Sequence, residues 1–303
     1  MHNVLITGAT GFLGSHIAER LSQTDINIIS LKRSSSDTWR CKEFENKIDW
    51  VDLDGQDDWK RQVIEKEPTT IIHCAWIGVG AQDRNNWSLQ SKNIELLIAL
   101  LEITQALKIE KFIFLGSQAE YGNISNKVFE DQAVHPVSAY ASIKLSCLQI
   151  LETYADLNKI NWIWLRVFSV FGEREADNWL IPSVIKTMQE RSAMDFTKGE
   201  QRYAYLYASD FAQILLSIVK NKIDSGVYNI SANQTQELKT LLMQLRDNIN
   251  PSFSLNFGNI PYRENQSMHI EGDITKLTNQ IGLVDFTDFN VALSKTLNYY
   301  LSK

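Results

Sequence analysis

The chain has 303 residues and a formal net charge of −6, with acidic and basic residues mixed along its length. That balance offers no footprint for nucleic acid or an anionic membrane and points to a diffusible small ligand. The length predicts one large or two closely joined domains, and three cysteines (Cys41, Cys74, Cys147) with five scattered histidines fit no metal-ligand spacing, so neither a metal site nor a disulfide is expected.

The N-terminus passes directly into an apolar strand pattern, Asn3-Val4-Leu5-Ile6, without a charged leader. No later window approaches the ~20 apolar residues that span a bilayer, so a soluble, cytoplasmic protein with no membrane partner is expected. The first strand, predicted over 3–7, leads into Gly8-Ala9-Thr10-Gly11-Phe12-Leu13-Gly14 and a helix beginning near Phe12. There a tight turn can present backbone N–H groups to a pyrophosphate: Gly8 permits the turn, Gly11 the approach of the ligand, Gly14 close helix–strand packing. A strand-to-helix turn without a ligand is the plain alternative, and the position after the first strand of an α/β pattern favours the nucleotide. Thr10, Phe12 and Leu13 complete the expected cofactor contacts of this loop.

The second strand is predicted over 26–31. An acidic residue about 20 positions beyond the glycines would bond the ribose 2′-hydroxyl of NAD, but the place holds Lys32-Arg33-Ser34-Ser35. Two cations and two hydroxyls suit a 2′-phosphate, which favours NADP(H) over a merely solvated loop. Asp52-Leu53, ending a third strand over 48–53, is placed to border the adenine. A fourth strand over 70–76 brings Ala75 and Trp76 to the cofactor, with plain packing the alternative for Trp76.

Segments 88–107 and 139–158 carry apolar residues at helical spacing and predict long helices. Between them a fifth strand, 111–117, ends on Ser117 at the carboxyl edge, where open parallel sheets bind ligands. Tyr140-Ala141-Ser142-Ile143-Lys144 places a phenol and an ammonium on one helix face. Ketone reduction needs a hydride donor and an acid for the developing alkoxide. Tyr140 fits the acid, Lys144 would lower its pKa, and Ser117 would bond the carbonyl oxygen. Ser117 lacks the Gly-x-Ser-x-Gly frame of an acyl-transfer nucleophile. Further strands are predicted at 161–168 and 227–231, and beyond residue 170 the pattern loosens into a smaller lobe. The fold class that follows is α/β, a Rossmann-type doubly wound parallel sheet with a smaller C-terminal lobe. Residues 1–168 form the dinucleotide-binding domain, to which the strand near 227–231 returns, and 169–303 mainly the lobe. The alternating Tyr203, Tyr205 and Tyr207 read as a structural strand.

These residues resemble the extended short-chain dehydrogenase/reductase family of nucleotide-sugar epimerases, dehydratases and reductases. The likeness covers nearly the whole chain and includes the glycine loop, Asp52-Leu53, Asn93, Leu115-Gly116-Ser117 with Tyr121-Gly122, Tyr140-x-x-x-Lys144 and Arg166-Val167-Phe168-Ser169-Val170-Phe171-Gly172. Later come Tyr205-Leu206-Tyr207-Ala208-Ser209-Asp210, Val227-Tyr228-Asn229-Ile230 and Ile260-Pro261-Tyr262-Arg263. It implies that Ser117, Tyr140 and Lys144 are catalytic, that Asn93, Val167 and Phe168 adjoin the cofactor, and that the C-terminal lobe holds a nucleotide diphosphate. Gln118, Ser169 and Arg263 are substrate candidates. Arg174 and Arg202 are too, with a solvated role the alternative for each, and Trp179 could stack on sugar or base or simply pack. The resemblance also implies a homodimer built on the 88–107 and 139–158 helices.

Two departures bear on the reaction. The family's Arg-Asp before the Tyr-Leu-Tyr strand reads Tyr203-Ala204, with Arg202 one place early. Where the 4,6-dehydratases have an acid pair after the serine or threonine, this chain has Gln118-Ala119, which cannot shuttle a proton; Glu120 lies one register on and is expected to face away. The resemblance then implies NADPH-dependent reduction of a dTDP- or CDP-linked 4-keto-6-deoxyhexose for surface polysaccharide. A 4-epimerase with bound NAD and a non-catalytic NADP(H)-binding module are the alternatives.

Overall fold

The computed structural model describes residues 2–56, 58–264 and 266–302. The strands in chain order begin with β1 (Asn3–Thr7), β2 (Asn27–Lys32), β3 (Ile48–Asp52), β4 (Thr70–His73), β5 (Lys111–Ser117) and β6 (Asn161–Val167). Short strands follow: β7 (Val170–Phe171), β8 (Ala193–Phe196), β9 (Arg202–Tyr203) and β10 (Leu206–Tyr207), then β11 (Gly226–Ile230). Strands β1 to β6 and β11 make one parallel sheet in the order β3-β2-β1-β4-β5-β6-β11. The chain winds outward from β1 to β3 and then restarts on the other side at β4, so a crevice opens between β1 and β4 at the carboxyl edge.

Alternate residues of each strand feed opposite faces, which is why the strands read as continuous apolar runs. On one face Val4, Ile6, Ile113, Leu115, Ile163 and Leu165 pack beneath helices α1 (Phe12–Ser22) and, later in the chain, Ala208–Lys220. On the other Leu5, Ile71, Phe112, Phe114, Trp162 and Trp164 meet α2 (Trp59–Glu65), α3 (Trp87–Thr104) and α4 (Ala139–Asn158). Asn86 caps α3 and Ser138 caps α4, each accepting a backbone N–H of the first turn.

A third apolar cluster lies apart from the sheet. It joins α5 (Leu180–Glu190), through Ile181, Val184, Ile185 and Met188, to helices Leu238–Ile249 and Phe289–Leu301, through Leu241, Leu242, Leu245, Leu293 and Leu297. Among the described residues no helix is long and apolar enough to cross a membrane.

Two elements differ from the sequence expectation. The fourth strand stops at His73 rather than 76, because side chains take the next N–H groups: Thr7 Oγ1 accepts from Ala75 at 3.1 Å and Asn93 Oδ1 from Ile77 at 2.7 Å. The Tyr203–Tyr207 stretch is not one strand. β9 pairs with Gln236–Glu237 and His269–Ile270 while β10 pairs with β7, so the chain changes partners at Ala204-Tyr205.

Candidate active site

Strand registers set the site. Thr7 stands beside His73, Lys32 beside Asp52 and Ser117 beside Val167, so the expected cofactor and catalytic residues share one carboxyl edge. The glycine loop spans the crevice between β1 and α1. Gly8 has φ +77°, a region side chains rarely adopt, and a Cβ there would meet the Ala75 backbone nitrogen at 2.7 Å. At Gly14 a Cβ would lie 2.1 Å from the Gly8 carbonyl oxygen. No side chain caps α1 and no acidic residue occupies its first turn, so its leading N–H groups are left for an anion, and the cradle fits a pyrophosphate. Thr10 gives its carbonyl to Arg40 Nη1 at 3.3 Å, which ties the segment after β2 to the loop.

The basic segment after β2 is less uniform than its sequence suggests. Lys32 Nζ pairs with Asp52 at 2.6 Å, and Ser34 donates its N–H and hydroxyl to Asp54 at 2.7 and 3.0 Å. Asp52 and Leu53 do stand next to β2, with the Leu53 N–H on the Lys32 carbonyl. Arg33 is exposed. Asn93 is buried and acts on the cofactor edge at one remove: it accepts from Ile77 N–H and donates to Ile77 O, fixing the loop that carries Ala75 and Trp76.

The catalytic candidates converge. Ser117, Tyr140 and Lys144 are each buried to within a tenth of their surface, and the Ser117 side chain favours the Tyr140 phenolate against the pull of burial. Ser117 Oγ accepts the Ala119 N–H at 3.2 Å, which leaves its own proton to donate. Lys144 Nζ donates to the Leu115 carbonyl at 2.6 Å and sits 3.7 Å over the Trp76 ring, whose indole is held by Gln90 at 2.8 Å. Trp76 therefore packs within the cluster, edge-on to Tyr140. Burial pushes Lys144 down to about 8 and raises the Tyr140 phenol, the latter opposed by Ser117 and by the charge of Arg84. Two cations adjoin the Tyr140 ring, the Arg84 guanidinium 5.0 Å and Lys144 Nζ 5.9 Å from its centroid.

Glu120 is directed into the core beneath Ser117. It is wholly buried, accepts the Ser117 N–H at 2.7 Å and both contacts of Trp164 Nε1, and pairs with Arg166 at 2.9 Å. Burial raises its carboxyl despite Arg166. Arg166 also lies 4.4 Å over the Tyr121 ring, and Tyr121 donates to Asn229 on β11, so one polar network ties β5, β6 and β11 under the serine. The sequence reading quoted Arg166 and Glu120 but gave them no joint role, and it passed over Arg84, Gln90 and Arg40. The Glu120–Arg166, Arg84–Tyr140 and Arg40–Thr10 contacts join residues distant in the chain and leave no local signal.

The substrate candidates are scattered more widely. Gln118 opens the turn after β5, Val167 ends β6, and Phe168 and Ser169 follow it, Phe168 donating its N–H to Ile230. Arg202 Nε donates to Thr235 from exposed β9, and Arg263 is exposed near Tyr203. Trp179 is the N-cap of α5, partly exposed. Arg174 is corrected: its guanidinium is committed to Glu19, to His16 Nδ1 at 2.9 Å and to the Arg40 carbonyl at 3.0 Å, so it clamps this loop to α1 rather than facing a substrate.

Known proteins resemble this chain. A CDP-abequose synthase from Salmonella muenchen is 28% identical over 278 residues, covering 91% of this chain and 90% of that protein. Protein CapI of Staphylococcus aureus is 25% identical, covering 84% and 85%. A UDP-N-acetylglucosamine 4-epimerase from Methanobrevibacter ruminantium superposes with a TM-score of 0.88 at 23% identity over 99% and 98% of the two chains. The dTDP-glucose 4,6-dehydratase of Streptomyces venezuelae, with NAD bound, gives 0.86 at 17% over 99% and 97%. The NAD dependent epimerase/dehydratase family matches residues 4–231, and with its seven-stranded parallel sheet and glycine cradle the chain belongs to that family, the extended short-chain dehydrogenases/reductases.

Proposed function

We propose that the protein reduces the 4-keto group of a nucleotide-linked 4-keto-6-deoxyhexose with NADP(H), dTDP and CDP being the favoured nucleotides. The observation that carries this reading is the buried Ser117–Tyr140–Lys144 cluster at the switch point, with Gln118-Ala119 where dehydration needs acids. The likeness to a CDP-abequose synthase over nine-tenths of both chains supports a deoxysugar substrate.

The cofactor would lie along Gly8–Gly14, its adenosine end between Arg33 and Asp52-Leu53 and its nicotinamide near Val167 and Phe168; when bound it supplies a hydride. Tyr140 gives its phenolic proton to the carbonyl oxygen as the bond to oxygen becomes single. Ser117 donates a hydrogen bond to that oxygen and holds it at the phenol. The Lys144 ammonium, fixed on Leu115 O, keeps positive charge behind the site. Arg202 and Arg263 are the proposed contacts of the nucleotide diphosphate, and a homodimer through α3 and α4, where Ile98 and Leu157 are exposed, is part of the same reading.

One observation favours a second reading, a 4-epimerase retaining NAD. Asp52 neutralises Lys32 and Asp54 occupies Ser34, so the 2′-phosphate argument falls on Arg33. The test is oxidation of NADPH and NADH with a panel of dTDP-, CDP-, GDP- and UDP-linked 4-keto-6-deoxy sugars. Turnover of one substrate with preference for NADPH is expected. Silence across the panel, with interconversion of unmodified nucleotide sugars, would replace the reductase by the epimerase.

A further inference from the structure

The loop between β4 and α3 is built to hold one cation over the proposed proton donor. Gln90, wholly buried, donates to the carbonyls of Gly78 at 2.7 Å and Asp83 at 3.1 Å, pinning both ends of the loop. The Arg84 carbonyl accepts the Tyr140 N–H at 2.8 Å, and Asn85 Oδ1 accepts the Ala139 N–H at 3.3 Å, so the loop also docks on the start of α4. Arg84 Nε donates to the Val79 carbonyl at 3.2 Å, which sets the guanidinium 5.0 Å over the Tyr140 ring. Lys144, by contrast, spends its ammonium on Leu115 O and the Trp76 face.

We propose that Arg84 is a positioning residue for the reduction, its guanidinium stabilising the phenolate that Tyr140 becomes on donating its proton. This rests on the reading of Tyr140 as the acid. The O–H bond of Tyr140 breaks, its proton joins the carbonyl oxygen while reduced nicotinamide supplies hydride to carbon, and the negative charge left on the phenol is shared with the ring under Arg84. The other groups facing the phenol are Lys144 on its own helix, the Ser117 hydroxyl, and Glu120 beneath Ser117. Burial and Glu120 oppose the phenolate, whereas Ser117 and Arg84 favour it.

The test replaces Tyr140 by a ring-fluorinated, more acidic tyrosine in the full chain and follows its ionisation by fluorine NMR. The measurement is made in the parent and in Arg84→Met and Arg84→Lys variants, with and without NADP+. Loss of a cation at this distance is expected to raise the midpoint by about 1 unit in Arg84→Met, and Arg84→Lys should restore at least half of the shift. An unchanged midpoint in Arg84→Met with NADPH affinity intact would overturn the proposal. If Arg84→Met loses its fold, Arg84→Gln decides: a midpoint raised by about 1 unit supports the proposal, and one equal to the parent overturns it. The readout needs no substrate, so a silent substrate panel beside a shifted midpoint would count against the reductase reading and leave the Arg84–Tyr140 coupling standing.

Discussion

The two halves of the carboxyl edge are built in opposite ways. At β1–α1 the chain makes its site by removing side chains: Gly8 and Gly14 leave no room for a Cβ, and the anion cradle is backbone alone. At β4–β5–α4 it does the reverse, crowding Ser117, Tyr140 and Lys144 into a buried cluster beside half-buried Trp76, with proton affinities set by desolvation and a few charges. A backbone cradle can be blocked but hardly tuned, whereas a buried side-chain cluster can be tuned by single residues. The first half should therefore govern whether a cofactor binds, and the second what is done with it.

The largest separation of the two should come from Tyr140→Phe, which keeps the ring and removes the proton. Turnover is expected to fall by about 10²–10⁴-fold with NADPH affinity nearly unchanged, measured by steady-state kinetics and calorimetric titration. Full activity in this variant would remove Tyr140 from the mechanism. Gly14→Ala should act on the other half. The new methyl must push α1 from Gly8, costing about 2 kcal/mol of stability and weakening cofactor binding, as thermal melts with and without NADPH would show.

Much of the first half is legible in sequence because a missing side chain is itself a letter: the glycines at 8, 11 and 14 after an apolar strand can be read directly. The strands are legible for a related reason. Ile71-Ile72 and Phe112-Ile113-Phe114-Leu115 are covered on both faces and so carry no polar alternation. Tyr140 and Lys144 are legible by helical spacing. What the sequence hides is pairing across distance. Asp54 opposite Ser34, Glu120 against Arg166, Arg174 turned to Glu19, and Arg84 over Tyr140 all depend on how loops return to the sheet. The Tyr203–Tyr207 alternation misleads for the same reason, since β9 and β10 find different partners.

Smaller effects sharpen the comparison. Arg33→Ser should weaken NADPH by about tenfold, one charge-assisted bond's worth, and leave NADH unaffected; equal loss of both cofactors would show that Arg33 does not read the 2′-phosphate. The subtlest signature is the pH dependence of Lys144. Burial lowers its folded pKa to about 8 from 10.5, so between those values the unfolded chain binds more protons and stability gains from this residue as pH rises. Below about 8 both states are charged and the burial cost is present in full. Lys144→Met should remove its own share of the slope in chemical unfolding run across this window, a slope to which Lys111, lowered by burial to about 8, adds and from which the raised thiols of Cys41, Cys74 and Cys147 subtract. An unaltered slope would place the Lys144 ammonium in a more solvated setting than the one described.

Net reduction by the Ser117–Tyr140–Lys144 cluster is tested most directly by cofactor stoichiometry. With a nucleotide-linked 4-keto-6-deoxy sugar in limiting amount, the account predicts equimolar NADPH consumed and alcohol product formed, with deuterium from labelled NADPH appearing at C4. Neither alcohol formed nor NADPH consumed with the keto sugar, beside interconversion of unmodified nucleotide sugars at C4 without added cofactor, would contradict it and point to a retained-cofactor epimerase.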